Sequence, residues 1–255
     1  MISIITRVQY RDLYQRLMAS AFNTAVTGIE FFSEVDESGR PEITKTYNRL
    51  GKMANGEILV FCHDDIEFLE TGWDARLLEF FAESDYDIAG VVGADKYDGG
   101  YLVAAGHPHC FGKFVNRSGS DLKINIYSRK SHGKKLLAVD GMFMAVRSDY
   151  FKREKFDEKL DGLFFYDIDY CLRGKTGLID MTLAHYKPAD RWGKYPKNMV
   201  PMESFEPYFY TKHNLCGVAS PGDTRALCAS QEDYANIGHD ELFRLFEEKY
   251  LAKVA

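Results

Sequence analysis

The sequence predicts an α/β fold in which helices cover both faces of a mostly parallel sheet. Over about the first hundred residues, short apolar runs typical of strands alternate with segments whose apolar residues recur every three or four positions. This β-α-β-α-β-α-β order favours parallel strands joined by crossover helices. With 255 residues, 45% of them hydrophobic, the chain can bury a substantial core in one domain with or without an appendage.

The strands and helices of this repeat can be placed in order along the chain. Each predicted strand is a run of apolar or β-branched residues, and these runs cover 2–6, 28–35, 57–62 and 88–94. Each predicted helix has its apolar residues on one face, and these segments cover 10–21, 43–54 and 71–81. Thr71 is expected to cap the third helix, with Asp74 as its capping-box partner.

The second half of the chain is less regular. One or two strands are expected within 136–147, a short helix at 166–173 and a last strand at 177–185. Aromatic residues, prolines and loop-forming residues dominate from 188 to about 230. A final helix is expected to begin near Asp240.

Composition and charge narrow the class of protein. The formal net charge is −6 and no basic stripe is present, which argues against a protein that binds nucleic acid. Five scattered cysteines without a Cys-x-x-Cys pair are typical of free thiols in a reducing compartment. The start of the chain lacks the pattern of a secretory signal, and no apolar stretch approaches the roughly 20 residues of a transmembrane segment. We therefore expect a cytoplasmic protein, either free or peripheral to the membrane.

The most informative segment is residues 55–68, NGEILVFCHDDIEF, in which a buried strand is followed by His63, Asp64 and Asp65. Ligands of open α/β sheets gather at the carboxyl ends of the strands. Because side chains alternate along a strand, His63 and Asp65 are expected to point the same way. Such a pair can hold a divalent cation against a diphosphate. The alternative is an acidic pair that caps the following turn.

Residues 47–68, YNRLGKMANGEILVFCHDDIEF, resemble the segment of GT-A glycosyltransferases that leads through an apolar strand to Asp-x-Asp. They are closest in style to the inverting, family-two-like members. In that family the final Asp binds the metal and the first touches ribose or metal. Asp65 matches the final Asp, whereas His63 stands at the position of the first. The resemblance implies that Asp65 binds a metal with help from His63, and that His63, Asp64 and Asp65 face the donor.

A second segment, residues 139–173, is similar to the downstream pattern of the same family, in which a Gly is followed by Arg, Phe-Asp-Glu and Glu-Asp-x-Asp-x-x-x-Arg. The family's catalytic base is the Asp of Glu-Asp. That position is Asp167 here, with Tyr166 in place of the Glu, and Gly141 falls in the donor-binding part of the pattern. Inverting transfer needs a carboxylate to take the proton of the acceptor hydroxyl. Asp169 is expected to matter less for catalysis, because it faces away along the helix.

His185 follows the apolar run 177–184, where many GT-A enzymes supply their last metal ligand. The resemblance thus implies Mn²⁺ or Mg²⁺ as cofactor, held by Asp65, His185 and His63. A local basic and aromatic loop follows, and its donor-binding candidates are Arg191, Trp192 and Lys194. Cationic side chains there would stabilise the leaving diphosphate. An ordinary solvated loop is the alternative.

The nucleoside is expected to lie over the carboxyl ends of the first two strands. This placement rests on sheet topology and on the resemblance. The candidate lining residues follow the first strand, follow the second strand or lie on the next helix: Thr6, Arg7, Glu34, Asp36 and Asn48.

The resemblance covers about residues 1–190. It implies a GT-A type, Rossmann-like nucleotide-sugar-binding and catalytic domain at 1–190, with a loop-rich and helical C-terminal extension at 191–255 packed on the same domain. The implied activity is inverting, metal-assisted transfer from a nucleotide-diphosphate sugar to an acceptor hydroxyl. By analogy the nucleotide is UDP. The acceptor, whether a glycan, a lipid-linked molecule or a protein, is left open.

Two other functions compete with this interpretation. A nucleotidyltransferase would need a glycine-rich phosphate loop after the first strand, and residues 5–15 contain no glycine. A GT-A-fold protein that binds nucleotide with weak or no catalysis is suggested by the departures at His63 and Tyr166. Turnover of a nucleotide sugar would separate that binder from an enzyme.

Overall fold

The computed structural model describes residues 1–35, 42–97, 102, 108–118, 121–128, 131–186 and 204–213. The strands are β1 Ile2–Val8, β2 Ile29–Val35, β3 Ile58–Cys62, β4 Ile66–Phe68, β5 Ile88–Gly90, β6 Val92–Ala94, β7 Cys110–Ser118, β8 Asp121–Ile126, β9 Lys135–Leu136, β10 Ala138–Val139, β11 Phe143–Arg147, β12 Thr176–Leu178 and β13 Leu183–Tyr186. The helices are α1 Arg11–Thr24, α2 Ile43–Gly51, α3 Trp73–Glu83, α4 Ser148–Arg153, α5 Tyr166–Cys171 and α6 Glu206–Lys212.

The main sheet has seven strands in the order β2-β1-β3-β11-β5-β12-β9. The α/β class is confirmed: five of the seven strands run in one direction, and β11 and β9 run the other way. β1 pairs in parallel with β2 and β3, whereas β11 is antiparallel to both β3 and β5. β11 begins beside the carboxyl end of β3, with Phe143 opposite Cys62. The chain arrives there from a short turn at 140–142 rather than from a crossover helix, and β11 therefore runs the other way.

Helices cover both faces of the main sheet, as predicted. The alternation of side chains along its strands separates two buried clusters. Ile5 and Phe61 pack on the face covered by α2, α4, α5 and α6. Ile4 and Val60 pack on the opposite face, against α1 and α3.

A second sheet has the order β10-β6-β7-β13-β4, with β8 paired to β7. Two runs that the sequence predicts as single strands are each divided between the sheets. Run 88–94 breaks at Val91 into β5 and β6, and run 177–185 breaks into β12 and β13. The second break brings His185 opposite Ile66 of β4, immediately after the predicted metal-binding segment.

The start of α3 differs from the prediction. The helix begins at Trp73, and Gly72 before it has a left-handed backbone with φ 77°. Thr71 is therefore not the cap. The carboxylate of Asp74 instead accepts hydrogen bonds from the backbone N–H groups of Val26 and Thr27, which tie the chain after α1 to α3. The helix predicted near Asp240 lies outside the described residues. None of the described helices is long and apolar enough to span a membrane.

Candidate active site at the carboxyl end of the central strand

Three side chains that could hold a metal meet where β3 leads into β4. The Nε2 atom of His185 lies 3.2 Å from Oδ1 of Asp65, and Nδ1 of His63 lies 3.8 Å from the same oxygen. Backbone hydrogen bonds fix this arrangement: His63 N donates to Met142 O at 3.1 Å, and Tyr186 N donates to Asp65 O at 2.6 Å. The structure thus brings together His63, Asp65 and His185.

The geometry of this cluster fits one divalent metal ion. One nitrogen or oxygen atom from each of the three residues lies within 4.8 Å of the others. Metal–ligand bonds to imidazole and carboxylate are about 2.0–2.2 Å long, so ligand atoms on opposite sides of one ion are roughly 4 Å apart. Two imidazoles and a carboxylate form a donor set that divalent transition metals accept.

Asp64 points away from this cluster and holds the loop after β1. Its Oδ2 atom accepts hydrogen bonds from the backbone N–H groups of Gln9 and Tyr10, each at 2.6 Å. Burial raises the pKa of Asp64 to about 6, although these two N–H groups oppose the shift. Asp64 therefore shapes the loop beside the site, and its engaged oxygen favours a structural role over direct contact with a donor.

Asp167 lies at the start of α5, with both carboxylate oxygens hydrogen-bonded. Oδ2 accepts from Gly141 N at 2.9 Å and Oδ1 accepts from Ile168 N at 2.9 Å. Burial, with a further contribution from the nearby Asp140 carboxylate, raises the pKa of Asp167 to about 7. The sequence suggests that the helix N-terminus keeps this group ionised, but α5 has only six residues and the effect of burial is larger.

A strained residue sets the start of α5. Phe165 has φ 66°, a left-handed conformation that costs a non-glycine residue on the order of 1–3 kcal/mol. Its ring is buried and stacks on Phe209 of α6, with the ring centroids 4.6 Å apart. This packing holds the backbone that presents Asp167 to the carboxyl end of β3.

The two sequence motifs meet through a hydrogen bond between side chains. The Tyr166 hydroxyl lies 3.2 Å from Nε2 of His63. Gly141 packs directly against this contact: a Cβ atom at Gly141 would be 2.1 Å from the Tyr166 hydroxyl oxygen and 3.1 Å from Asp167 Oδ2. Only glycine fits at this position without moving the tyrosine.

The candidate donor-binding residues have different surroundings. Thr6 and Arg7 are buried near the carboxyl end of β1. Glu34 forms an exposed ion pair with Arg49. The carboxamide of Asn48 donates to Phe156 O at 2.9 Å and accepts from Phe156 N at 3.0 Å.

Both ends of the Asn48 side chain are therefore engaged by backbone, and its contact with the nucleoside stays a prediction. The remaining donor-binding candidates lie outside the described residues: Asp36, Arg191, Trp192 and Lys194.

Two residues of the site are not identified from the sequence. Asp140 accepts a hydrogen bond from Met142 N at 2.9 Å and raises the pKa of Asp167. Its position beside Gly141 in the second motif is the signal that could have found it. Asn116 lies beside His185 in the β7–β13 pairing, and its Oδ1 atom is buried without a hydrogen-bond partner among the described residues. No sequence signal marks it, because that strand pairing is long-range.

Comparison with protein families shows a match to one described as "Glycosyltransferase like family" over residues 3–203. The chain belongs to this family. The match covers most of the chain, including the metal-ligand candidates and Asp167, and it confirms the prediction of a glycosyltransferase.

Three individual proteins are similar to this chain at low sequence identity. It is 24% identical over 198 residues to "ATP synthase subunits region ORF 6" of Fuscovulum blasticum, which covers 73% of this chain and 75% of that protein. Among solved structures, S. aureus TarS 1-349 in complex with UDP-GlcNAc matches with a TM-score of 0.52, 12% identity and coverage of 84% of this chain and 64% of that chain.

GalNAc-T7 with UDP, GalNAc and Mn²⁺ matches with a TM-score of 0.53 and 12% identity, covering 100% of this chain and 57% of that chain. The chain thus spans less than two thirds of the length of these two solved proteins. At such identities the likeness confirms the GT-A fold.

Proposed function

We propose that this protein transfers a sugar, with inversion, from a nucleotide-diphosphate sugar to an acceptor hydroxyl with the help of a divalent metal. The observation that carries the proposal is the convergence of His63, Asp65 and His185 at one strand end, joined by Tyr166 to the helix that bears Asp167. The UDP-GlcNAc of the TarS structure and the UDP and Mn²⁺ of the GalNAc-T7 structure support UDP as nucleotide and Mn²⁺, or alternatively Mg²⁺, as metal.

The proposed metal ligands act on the sugar donor, and the proposed base acts on the acceptor. Asp65, His185 and His63 would hold the metal, which when bound neutralises charge on the donor diphosphate. Asp167 accepts the proton of the acceptor hydroxyl as the acceptor oxygen bonds to the anomeric carbon. The bond from that carbon to the diphosphate oxygen breaks, and the nucleoside diphosphate leaves with the electron pair.

Further features of the proposal remain predictions. The acceptor is a glycan, a lipid-linked molecule or a protein, and the protein acts in the cytoplasm or at the membrane periphery. The boundary between the domain at 1–190 and the extension at 191–255 lies outside the described residues.

Metal-linked nucleotide binding tests the first half of the proposal. A ligand at 100 times its Kd stabilises the native state by about 2.7 kcal/mol, which a thermal-shift assay detects. UDP should raise the Tm of the wild type more with MnCl₂ than without it. In Asp65→Asn the manganese-dependent part of the shift should disappear. Asp85→Asn is the matched control, because Asp85 is an exposed carboxylate paired only with surface Lys175 among the described residues.

The outcomes separate the competing functions. A manganese-dependent shift that survives in Asp65→Asn would remove Asp65 from the metal site. Release of UDP from UDP-sugars, measured on the same wild-type preparation, tests turnover. Metal-linked binding without transfer or slow donor hydrolysis would instead support a nucleotide-binding protein that lacks catalysis.

A further inference from the structure

The two positions at which the sequence departs from the carboxylates of the family pattern contact each other. His63 stands in place of the first Asp and Tyr166 in place of the Glu. They are 103 positions apart in the chain, yet Nε2 of His63 lies 3.2 Å from the Tyr166 hydroxyl. A substitution of His63 alone, or of Tyr166 alone, would therefore replace this hydrogen bond with a contact to a different side chain.

The orientation of the His63 ring assigns a role to each of its nitrogen atoms. Nδ1 faces Asp65, 3.8 Å from Oδ1, and Nε2 faces Tyr166. A ring nitrogen that binds a metal must present its lone pair, so the ring proton of a neutral imidazole lies on the other nitrogen. With Nδ1 toward the metal-ligand cluster, Nε2–H donates to the oxygen of Tyr166.

The packing around Tyr166 fixes the acceptor of this hydrogen bond. The side chain is 3% exposed and contacts Tyr47 edge-on, with the ring centroids 6.1 Å apart. On the other side, the absence of a Cβ at Gly141 leaves the space that the hydroxyl fills. Because the ring is held from both sides, its oxygen can direct the imidazole rather than follow it.

We propose that Tyr166 is a positioning residue for the metal site. Its hydroxyl accepts the Nε2–H of His63 and thereby fixes the tautomer and ring orientation in which Nδ1 faces the metal. Metal-binding histidines commonly donate their other N–H to a fixed outer partner, and loss of that partner typically costs 10–100-fold in metal affinity. This inference rests on the proposed metal site and adds to it a residue that makes no contact with the ion.

Manganese affinity tests the inference independently of catalysis. Tyr166→Phe keeps the ring and removes only the oxygen, and we expect Mn²⁺ to bind about 10–100-fold more weakly, as measured by electron paramagnetic resonance of free Mn²⁺. Tyr170→Phe is the matched control. Tyr170 is buried on the same helix, and its hydroxyl donates to Glu154 O at 3.1 Å, so its loss should leave Mn²⁺ affinity unchanged.

A double-mutant cycle distinguishes positioning from a general structural effect. If the hydroxyl acts through the imidazole, Tyr166→Phe should cause no further loss of Mn²⁺ affinity in a His63→Ala background. An additive loss would overturn the proposal. Unchanged affinity in Tyr166→Phe, while Asp65→Asn still lowers it, would also overturn it and leave the metal site intact. A wild type that does not bind Mn²⁺ would overturn both.

A measurement on the wild type covers the case in which Tyr166→Phe fails to fold. Long-range ¹H–¹⁵N spectra of the histidine rings in the protein loaded with Mg²⁺, a diamagnetic ion, report the tautomer of His63. We expect the proton on Nε2. A spectrum with the proton on Nδ1 would contradict the proposal.

Discussion

Asp167 is a half-buried residue, and the acidity of its carboxyl group is changed by its surroundings. A general base must be ionised to take a proton, and the most effective base has a pKa near the working pH. Burial and the neighbouring Asp140 raise the pKa of Asp167 to about 7, which lies in that range. The hydrogen bonds from Gly141 N and Ile168 N, one to each oxygen, hold the carboxylate in place.

The pH dependence of turnover should follow Asp167. Because the pKa of the folded protein is about 7, kcat/KM for UDP release from a UDP-sugar should rise with pH and level off above about pH 7. Asp167→Asn should lower the rate by about 10²–10⁴-fold and remove this rise, with UDP binding nearly unchanged. Asp140→Asn should move the midpoint to lower pH, because it removes a neighbouring negative charge. A full rate in Asp167→Asn would show that another group is the base.

At the scale of single residues, sequence reasoning succeeds where chemistry is local. Asp65 and His63 are two positions apart after a buried strand, so their proximity follows from strand geometry. The surroundings of Asn48 could not be predicted from the sequence, because they depend on Phe156, which is 108 positions away. The buried Oδ1 atom of Asn116 was missed for the same reason, since only the pairing of β7 with β13 places this residue beside His185.

At the scale of elements, α5 and α6 are joined through one buried carboxylate. The Asp169 side chain is 1% exposed and pairs with Arg173 at 3.0 Å, with Lys212 at 2.6 Å and with His213 Nε2 at 2.8 Å. Arg173 also binds Glu154, at 2.7 Å. Asp169 thus connects the helix that carries Asp167 to the helix whose Phe209 supports the strained Phe165.

Loss of this charge should lower the stability of the fold rather than the rate of the chemical step. Asp169→Asn leaves the cations around it without their shared counter-charge, and we expect the free energy of unfolding, measured with urea, to fall by about 3 kcal/mol. The control is Asp149→Asn, because the pair of Asp149 with Arg153 is exposed on both sides and should contribute little. A loss no greater than that of the control would show that Asp169 does not hold the two helices together.

Elements with a local apolar pattern were predictable, whereas α4 and α6 were not predicted, and α6 lies in the stretch expected to be rich in loops. The periodic apolar residues of α1 and α2 identify both helices, because that pattern is local. The divided strands were not predictable from the sequence, because an apolar run does not reveal that its two halves pair in different sheets. The predicted cap of α3 was wrong for a related reason. The Asp74 carboxylate accepts hydrogen bonds from Val26 N and Thr27 N, which are distant in the chain.

At the scale of the whole molecule, the site lies where the chain passes between its two sheets. His63 and Asp65 join β3 of the main sheet to β4 of the second, and Gly141 lies in the turn from β10 to β11. His185 is on β13, beyond the break that follows β12. The class of fold was therefore predictable from the alternation of strand and helix patterns in the sequence. The convergence of these residues was not, because it depends on where the chain passes from one sheet to the other.

A site built in this way should reduce the stability of the molecule at the pH where it works. The pKa of Asp167 is raised from 3.8 to about 7 on folding, so the folded state binds a proton more tightly than the unfolded state. Between these two values the unfolded carboxylate is ionised while the folded one is still protonated. The contribution of this group to the free energy of unfolding should therefore decrease as pH rises from about 4 to about 7 and stay constant above that range.

Asp167→Asn removes this titration while its amide oxygen can still accept one of the two backbone hydrogen bonds. Relative to the wild type, the variant should gain stability progressively as pH rises from about 4 to about 7, and the difference should then stay constant. Urea denaturation of both proteins at pH 5, 6, 7 and 8 measures this difference, with Asp85→Asn as an exposed control. A constant difference across all four pH values would show that the pKa of Asp167 is not raised on folding. The expected result would show that the carboxylate proposed as the base lowers the stability of the fold in the pH range where it becomes ionised and active.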